Sequence, residues 1–219
     1  MNGTPAKPRG RPRSFDRDVA LERAMEVFWK LGFEGASLHD LTDAMGINPP
    51  SLYAAFGDKE HLFLEAVERY EAKNGAACPY ADAPTARDAV ERLLTYTAHE
   101  FSKPCNPRGC LMVMAATTSS SSSAKLQSAL AASRADAKAR LKARIDQGVK
   151  DGELPRGTDT GALADFYATV LSGMSLQARD GASRKRLLAT VATAMRSWPD
   201  SPTRTSKRLT RKPVAGPSM

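Results

Sequence analysis

Cysteine is scarce in this sequence, with three residues, Cys78, Cys105 and Cys110, among 219. An odd, small number of thiols does not build the disulfide framework typical of small secreted proteins. No apolar run approaches the roughly 18 residues of a membrane span. The polar residues 1–13 also lack the apolar core of a signal peptide. These absences argue against a secreted or membrane-spanning protein and predict a cytoplasmic one.

β-Branched runs with period-two alternation are also absent, whereas apolar residues recur at helical spacing along most of the chain. We therefore predict an all-α protein of about nine helices. A helix-turn-helix head is expected in residues 14–74, with its fourth helix ending near Lys73 and a linker over 74–84. A helical body for ligand binding and dimerisation is expected in residues 84–199. The flanking segments 1–13 and 200–219 are predicted to be disordered.

Positive charge is concentrated at the two ends of the chain. Of a net charge of +8, four basic residues lie in residues 1–13 and five in residues 201–219, and neither segment holds an acid. The remainder of the chain therefore carries a net charge of −1. Two basic tails flanking a remainder that is nearly neutral in total favour a polyanionic partner such as DNA, although basic tails can also serve solubility alone.

Motifs for catalysis are lacking. The sequence has no nucleophile elbow, no His-Glu metal motif and no glycine-rich phosphate loop. We therefore predict no catalytic residue, no cofactor and no metal site typical of an enzyme. A thiol peroxidase that uses Cys110 would need a lowered thiol pKa, which a sequence cannot reveal.

The strongest positive signal runs from Ser37 to Lys59. Ser37 followed three residues later by Asp40 forms a capping-box pattern for one short helix, which Gly46 ends. Asn48 is a good cap for a second short helix, in which Pro49 suits the first position. Two short helices joined by a tight turn are the layout of a helix-turn-helix, whose second helix enters the major groove of DNA.

The stretch from Phe33 to Leu62 resembles the signature of the TetR/AcrR family of transcriptional regulators. The matching features are Ser37 opening the second helix, Gly46 in the turn, the pair Leu52-Tyr53, Phe56 closing the third helix, and the pair Lys59-Glu60 opening the fourth. The resemblance implies a homodimeric repressor that binds double-stranded operator DNA and is released by a small effector.

The resemblance also implies which residues contact DNA. The implied positions are Ser37, Asn48, Pro49, Pro50, Ser51, Tyr53, Ala54 and Lys59. Ser37, Ser51, Tyr53 and Lys59 resemble phosphate contacts that set the register of the protein on the duplex. Ala54 departs from the bulky polar residue often found there. Few hydrogen bonds to bases are therefore expected, and thymine methyl groups and DNA shape carry more of the specificity.

The segment Arg9-Gly-Arg-Pro-Arg13 directly precedes the first helix. Glycine and proline keep such an arm extended. We therefore expect Arg9, Arg11 and Arg13 to lie in the minor groove beside the helix-turn-helix.

The body of the chain resembles the ComR-like branch of the same family through Pro107–Leu111 and Gly173–Ser183. That branch has been linked to a copper response, so a metal is one possible effector and a small organic molecule the other. In the family the last two helices form the dimer interface and the pocket lies among helices five to eight. Candidate ligand residues are Tyr96, His99, Phe101, Cys110, Met112, Met114, Phe166 and Tyr167.

Two alternatives stay open from the sequence. His99, Cys105 and Cys110 could form a thiol- or metal-responsive sensor, although their mixed spacing is a weak signal and ordinary thiols are the simpler interpretation. A helical ligand-binding protein that no longer binds DNA is the second alternative. Tyr53, Lys59 and the basic arm argue against it. Each aromatic or methionine candidate for the ligand pocket can equally belong to the core.

Overall fold

The structure, a computed structural model, describes residues 15–77, 82–118 and 124–199. Within these ranges the chain forms nine helices and no strand, which confirms the predicted all-α class. The helices are α1 (Arg17–Gly35), α2 (Leu38–Met45), α3 (Pro49–Phe56), α4 (Lys59–Ala77), α5 (Ala86–Phe101), α6 (Leu111–Thr118), α7 (Ala124–Lys150), α8 (Thr160–Arg179) and α9 (Arg184–Met195). The predicted basic arm and basic tail lie outside the described residues, as does Cys78.

Helix beginnings follow from capping side chains that the sequence supplies. Oxygen atoms of capping side chains accept hydrogen bonds from otherwise free backbone N–H groups in the first turns of seven helices, among them α4, where Asp58 accepts from the His61 amide at 2.8 Å. The other six caps are Asp16, Ser37, Asn48, Thr85, Asp159 and Ser183.

The sequence predicts that the first helix ends near Leu31, where Gly32 stops it, and that the last helix ends near Trp198. These two ends and the end of the fourth helix differ in the structure. Helix α1 continues to Gly35, although the backbone of Gly32 is not helical, with φ 75° and ψ 174°. Helix α4 continues through Asn74, whose side-chain amide donates to the Tyr70 carbonyl at 2.8 Å, so a linker beginning at residue 74 is wrong. Helix α9 ends at Met195 rather than Trp198, because the chain beyond it tightens into i→i+3 hydrogen bonds.

A first hydrophobic core lies between helices α1 to α4 and extends into the body. Phe28, Phe33 and Phe63 form its centre, with the Phe28 and Phe63 rings edge to face at 4.9 Å between centroids. Leu111 of α6 and Leu130 of α7 are buried in the same core. The head therefore packs directly on α6 and the beginning of α7, and the division at residues 74–84 stays a prediction about domains.

A second core fills the rest of the body between α5, α7, α8 and α9. Its largest fully buried side chains are Leu94, Ile145 and Tyr167. Cys110 packs against both cores from the segment that precedes α6. In the parts of the chain that the structure describes, no helix has both the length and the apolarity that a membrane crossing requires.

Candidate functional site

Helix α2 is fixed at its start by the predicted capping box. The Asp40 amide donates to Ser37 Oγ at 3.1 Å, and the Ser37 amide donates to Asp40 Oδ2 at 2.9 Å. The hydrogen bonds from Ser37 lower the pKa of the Asp40 carboxyl. Ser37 is exposed, so this N-terminus faces solvent with its free N–H groups organised.

The turn between α2 and α3 depends on Gly46 and Asn48. Gly46 adopts a left-handed conformation, φ 67° and ψ 34°, which costs a glycine little and other residues more. Two residues later, Asn48 Oδ1 accepts from the Ser51 amide at 2.9 Å and begins α3. The predicted helix-turn-helix is thus present with the predicted bounds of α3.

Helix α3 has one buried and one exposed face. Leu52 and Phe56 insert into the first core, whereas Tyr53 leaves 49% of its surface exposed. Pro49, Pro50 and Ala54 are exposed as well, Ser51 is half-buried, and no residue of α3 is charged. The exposed face therefore offers an aromatic ring, small apolar groups and few hydrogen-bond donors.

Arg17 fastens α3 from the beginning of α1, a role that the sequence analysis missed. Its guanidinium donates to the Ala55 carbonyl at 3.2 Å and to both oxygens of Glu65 at 2.8 and 2.7 Å. It also lies over the Phe56 ring at 4.4 Å. The end of α3, where carbonyl groups lack helical partners, is thereby tied to α1 and α4. The only sequence signal is an arginine directly after the Asp16 cap.

Lys59 lies at the beginning of α4, against the first core. Its ammonium group is 4.6 Å from the centre of the Phe33 ring, an attractive cation–π contact. Partial burial lowers the pKa of Lys59, and the nearby Glu34 carboxylate opposes that change. Aromatic packing on the end of α1 thus holds the lysine at the start of α4.

The junction between head and body is built around Gly109. Its carbonyl accepts from the buried indole N–H of Trp29 at 3.1 Å, and the next amide, of Cys110, donates to Ser175 Oγ at 2.8 Å. Ser175 lies in α8 and is fully buried. A short segment before α6 therefore contacts α1 of the head and α8 of the body.

The candidate ligand residues lie in different surroundings within the described part of the chain. Phe101, Met112, Met114 and Tyr167 are buried among core side chains, and Met112 belongs to the first core while Phe101 and Tyr167 belong to the second. Tyr96 and His99 are half-buried beside an open groove of about 470 Å³ along α5.

Cys110 has the chemistry of a buried thiol. Burial raises its pKa, and hydrogen bonds from Tyr70 and from backbone amides oppose that rise. A raised pKa keeps the sulfur protonated near neutral pH and lowers its reactivity. Cys105 is exposed. Among the described residues, no three His, Cys, Asp or Glu side chains come together in a group that could hold a metal ion.

Helix α8 carries an exposed stripe with apolar members. Phe166 and Leu176 leave 39% and 50% of their surfaces exposed. Gly173 lies between them in open space, because a Cβ added there would meet no atom within 4 Å. Ala192 of α9 is exposed too, whereas Val191 is buried within its own chain. Phe166, a candidate ligand residue, is thus on the outer side of the body.

Comparison with known proteins gives a consistent result. Residues 20–66 match the family model described as bacterial regulatory proteins, tetR family, and residues 86–195 match the tetracyclin repressor-like C-terminal domain. The chain is 36% identical to the transcriptional repressor ComR of Escherichia coli K12, over 89% of this chain and 94% of ComR. It is 34% identical to the repressor BdcR of the same organism, over 84% and 90%.

A solved structure of similar fold is a cysteine mutant of the TetR family regulator CifR complexed with 26-base-pair double-strand operator DNA. The two chains are 50% identical with a TM-score of 0.84, over 87% of this chain and all of CifR. The matched ranges cover the helix-turn-helix and most of the body. The chain therefore belongs to the TetR family of bacterial transcriptional regulators.

Proposed function

We propose that this protein is a sequence-specific DNA-binding transcriptional repressor that acts as a homodimer in the cytoplasm and is released from its operator by a small effector. The observation that carries the proposal is α3, a short uncharged helix that is fixed at both ends and exposes Tyr53. Family membership and the likeness to CifR, solved on operator DNA, support it. The proposal assigns no catalytic activity.

Phosphate contacts are assigned to residues around the ends of α2, α3 and α4. Ser37, Ser51, Tyr53 and Lys59 would bind the DNA backbone and set the register, with Asn48 beside them. Pro49, Pro50 and Ala54 would lie against base edges, where thymine methyl groups suit them better than hydrogen-bonding edges do. The arginines of the arm, Arg9, Arg11 and Arg13, would enter the minor groove.

Dimerisation is assigned to α8 and α9. The α8 stripe of Phe166, Gly173 and Leu176 exposes apolar surface that a second copy would cover, and Gly173 permits close approach of another helix. A two-fold dimer would present two copies of α3 to successive major grooves of a palindromic operator.

Effector release requires a ligand that binds the DNA-free form of the dimer more tightly than the DNA-bound form. We assign the effector region to the body near Cys110, where the two cores meet and the head contacts α6. An organic effector fits this apolar surrounding better than a metal or an oxidant, because burial raises the pKa of the Cys110 thiol.

The direct test measures binding to the DNA upstream of the gene by fluorescence anisotropy. Tyr53→Ala is expected to weaken binding more than Tyr53→Phe, which removes only the hydroxyl. Lys59→Met keeps the stem packed on Phe33 and removes one charge, so the salt slope should fall by about 0.9 for each phosphate that is no longer bound.

Two results would contradict the proposal. One is a parent protein that binds upstream DNA no more tightly than random duplex. The other is a monomer in light scattering at micromolar concentration. Removing residues 1–13 should cost more affinity on operators with A·T-rich flanks than on G·C-rich ones, because arginines favour narrow minor grooves. Equal losses on both would assign the arm to general attraction only.

A further inference from the structure

The positive charge of this protein does not lie in its helix-turn-helix head. Residues 15–77 contain six basic and twelve acidic residues, a net charge of −6. Residues 82–199 contain seventeen basic and eleven acidic residues, a net charge of +6. A head that is proposed to approach DNA is therefore acidic, and part of the attraction for phosphates must come from elsewhere in the molecule.

One part of the body gathers cations on the side that faces the head. This basic cluster consists of Arg108, Arg179, Arg184, Lys185 and Arg186, which are all exposed. The Arg179 guanidinium donates to the carbonyl of Lys30 in α1 at 3.3 Å. Arg108 donates to the carbonyl of Ala182 at 3.5 Å in the turn between α8 and α9. The Arg184 side chain donates to Ser102 Oγ at 3.3 Å. Three separate segments thus place Arg108, Arg179 and Arg184 around the turn between α8 and α9, and Arg179 contacts the end of α1.

Carboxylates do not neutralise this cluster. Within the described ranges, none of its five members forms an ion pair, although Asp180 follows Arg179 directly along the chain. The neighbouring Lys30 and Lys103 pair with Glu26 and Glu100. The cluster is therefore a local excess of positive charge, and most of it is guanidinium, which stays charged at any physiological pH.

The first turn of α9 contains residues that destabilise the start of a helix. Arg184, Lys185 and Arg186 occupy the first turn, where the helix macrodipole favours acids and disfavours cations. A choice of residues that local physics disfavours is expected where a surface serves another purpose. The exposed guanidinium groups of the basic cluster are suited to binding phosphate oxygens.

We propose that the basic cluster is a second contact to duplex DNA, which binds phosphates of the operator from the body rather than from the head. This inference rests on the proposed function. The contact compensates the acidic head and carries no sequence information, since phosphates are common to all sequences. It should raise affinity for every duplex alike and leave the preference for the operator unchanged.

The test compares two triple variants that remove the same charge. The cluster variant is Arg184→Gln, Lys185→Gln and Arg186→Gln. The matched control is Lys150→Gln, Arg156→Gln and Arg196→Gln, three exposed cations at the opposite end of α7, α8 and α9. Both are measured as full-length protein, on operator and random duplex, across a salt series.

The cluster variant should bind both duplexes roughly tenfold more weakly at low salt, and its salt slope should fall by about 0.9 for each phosphate that it no longer binds. The control should change little, because charges beyond about 10 Å are screened at 0.1 M salt. The melting temperature of the cluster variant should equal or exceed that of the parent, since cations leave the helix start.

Equal salt slopes for the two triple variants would overturn the inference and leave the proposed function intact. A cluster variant that loses operator preference or melts earlier would also overturn it, because the residues would then act through the fold. A parent protein without operator preference would instead contradict the proposed function itself.

Discussion

The head and the body of this molecule differ in where their ion pairs lie. In the head, ion pairs cross from α1 to α4: Arg17 binds Glu65, and both Arg69 and Lys73 bind Glu22. In the body, Arg87 with Glu91 and Lys142 with Asp146 pair within one helix, whereas Lys138 of α7 binds Asp165 of α8. Packing around the fully buried Tyr167 also joins the helices of the body.

The difference explains how charge is used. Arg17, Arg69 and Lys73 fasten two helices, and Lys30 pairs with Glu26. The other two described cations of the head are Arg23, which donates to the Ala44 carbonyl beside the turn after α2, and Lys59, which lies at the start of α4. A head that uses its cations for its own rigidity can hold α3 firmly but offers few charges to phosphates. In the described part of the body, Arg108, Arg179, Arg184 and Arg186 form no ion pair, whereas Arg87 and Arg144 do.

The largest expected effect tests how tightly the junction at Gly109 is packed. Gly109 has φ 85°, and a Cβ there would lie 2.7 Å from the backbone oxygen of Ser175. Gly109→Ala should therefore lower the free energy of unfolding by about 3 kcal/mol or more, through strain and steric overlap together.

Gly152 supplies the matched control for this change. It has a similar φ of 77°, but a Cβ there meets nothing within 4 Å. Gly152→Ala should cost only the conformational strain of about 1–2 kcal/mol. Urea unfolding followed by circular dichroism measures both, and equal losses would show that the junction at Gly109 is not tightly packed.

A second prediction concerns the hydrogen bond that crosses from head to body. Trp29→Phe keeps an aromatic ring against Tyr70 but leaves the buried Gly109 carbonyl without its donor. The expected loss is about 1–3 kcal/mol in the free energy of unfolding. Trp198→Phe, in a half-buried ring against Tyr167, should cost less. If Trp29→Phe instead splits unfolding into two transitions, head and body are separable units.

The third prediction sharpens the contrast between the two kinds of ion pair. Arg17→Gln should cost about 1–2 kcal/mol of stability and should also weaken operator binding, because α3 loses its fastening. Arg87→Gln removes an exposed pair within α5 and should cost at most about 0.5 kcal/mol. Similar losses for both would mean that the ion pairs of the head are not special.

The smallest expected effect is on the pH dependence of stability. Burial opposes ionisation of Glu22, yet Lys73 and Arg69 lower its pKa below the usual 4.5. A lowered folded-state pKa contributes stability above the unfolded-state value, and this contribution is lost as the pH falls through the folded-state pKa.

Glu22→Gln should therefore show a shallower loss of stability than the parent as the pH falls below about 4.5, measured by thermal melting between pH 6 and pH 3. Glu91→Gln, which removes the exposed partner of Arg87, provides the comparison for the loss of one carboxylate. An unchanged profile in Glu22→Gln would show that the α1–α4 ion pairs do not contribute to stability.

Several features of the fold could be predicted from particular residues. The caps Ser37 and Asn48 with Gly46 between them gave α2 and α3 with their correct bounds. The end of α4 was missed because Asn74 and Gly75 are typical of linkers, whereas here Asn74 bonds back to Tyr70. The junction at Gly109 was not predictable, since Trp29 and Ser175 are far from it in sequence.

In the candidate site, too, some residues could be placed from the sequence and others could not. Tyr53 was placed correctly on the exposed face of α3, because helical periodicity assigns Leu52 and Phe56 to the core. Phe166 is a candidate pocket residue because the family resemblance places the pocket among helices five to eight. The structure exposes it, since neighbouring helices cover only one side of α8. Arg17 carried no motif, and its role is visible only through its partners in α3 and α4.

The sequence alone determined the helical class, the helix-turn-helix and the two basic ends, because capping, periodicity and net composition are local properties of the chain. The tertiary structure alone decided which cations fasten helices and which gather, unpaired, beside the head. Arg108, Arg179 and Arg184 are separated by up to 76 positions, and only the packing of α8 and α9 beside α1 brings their charges together. Long-range electrostatics follow distance in space, which periodicity along the chain does not encode.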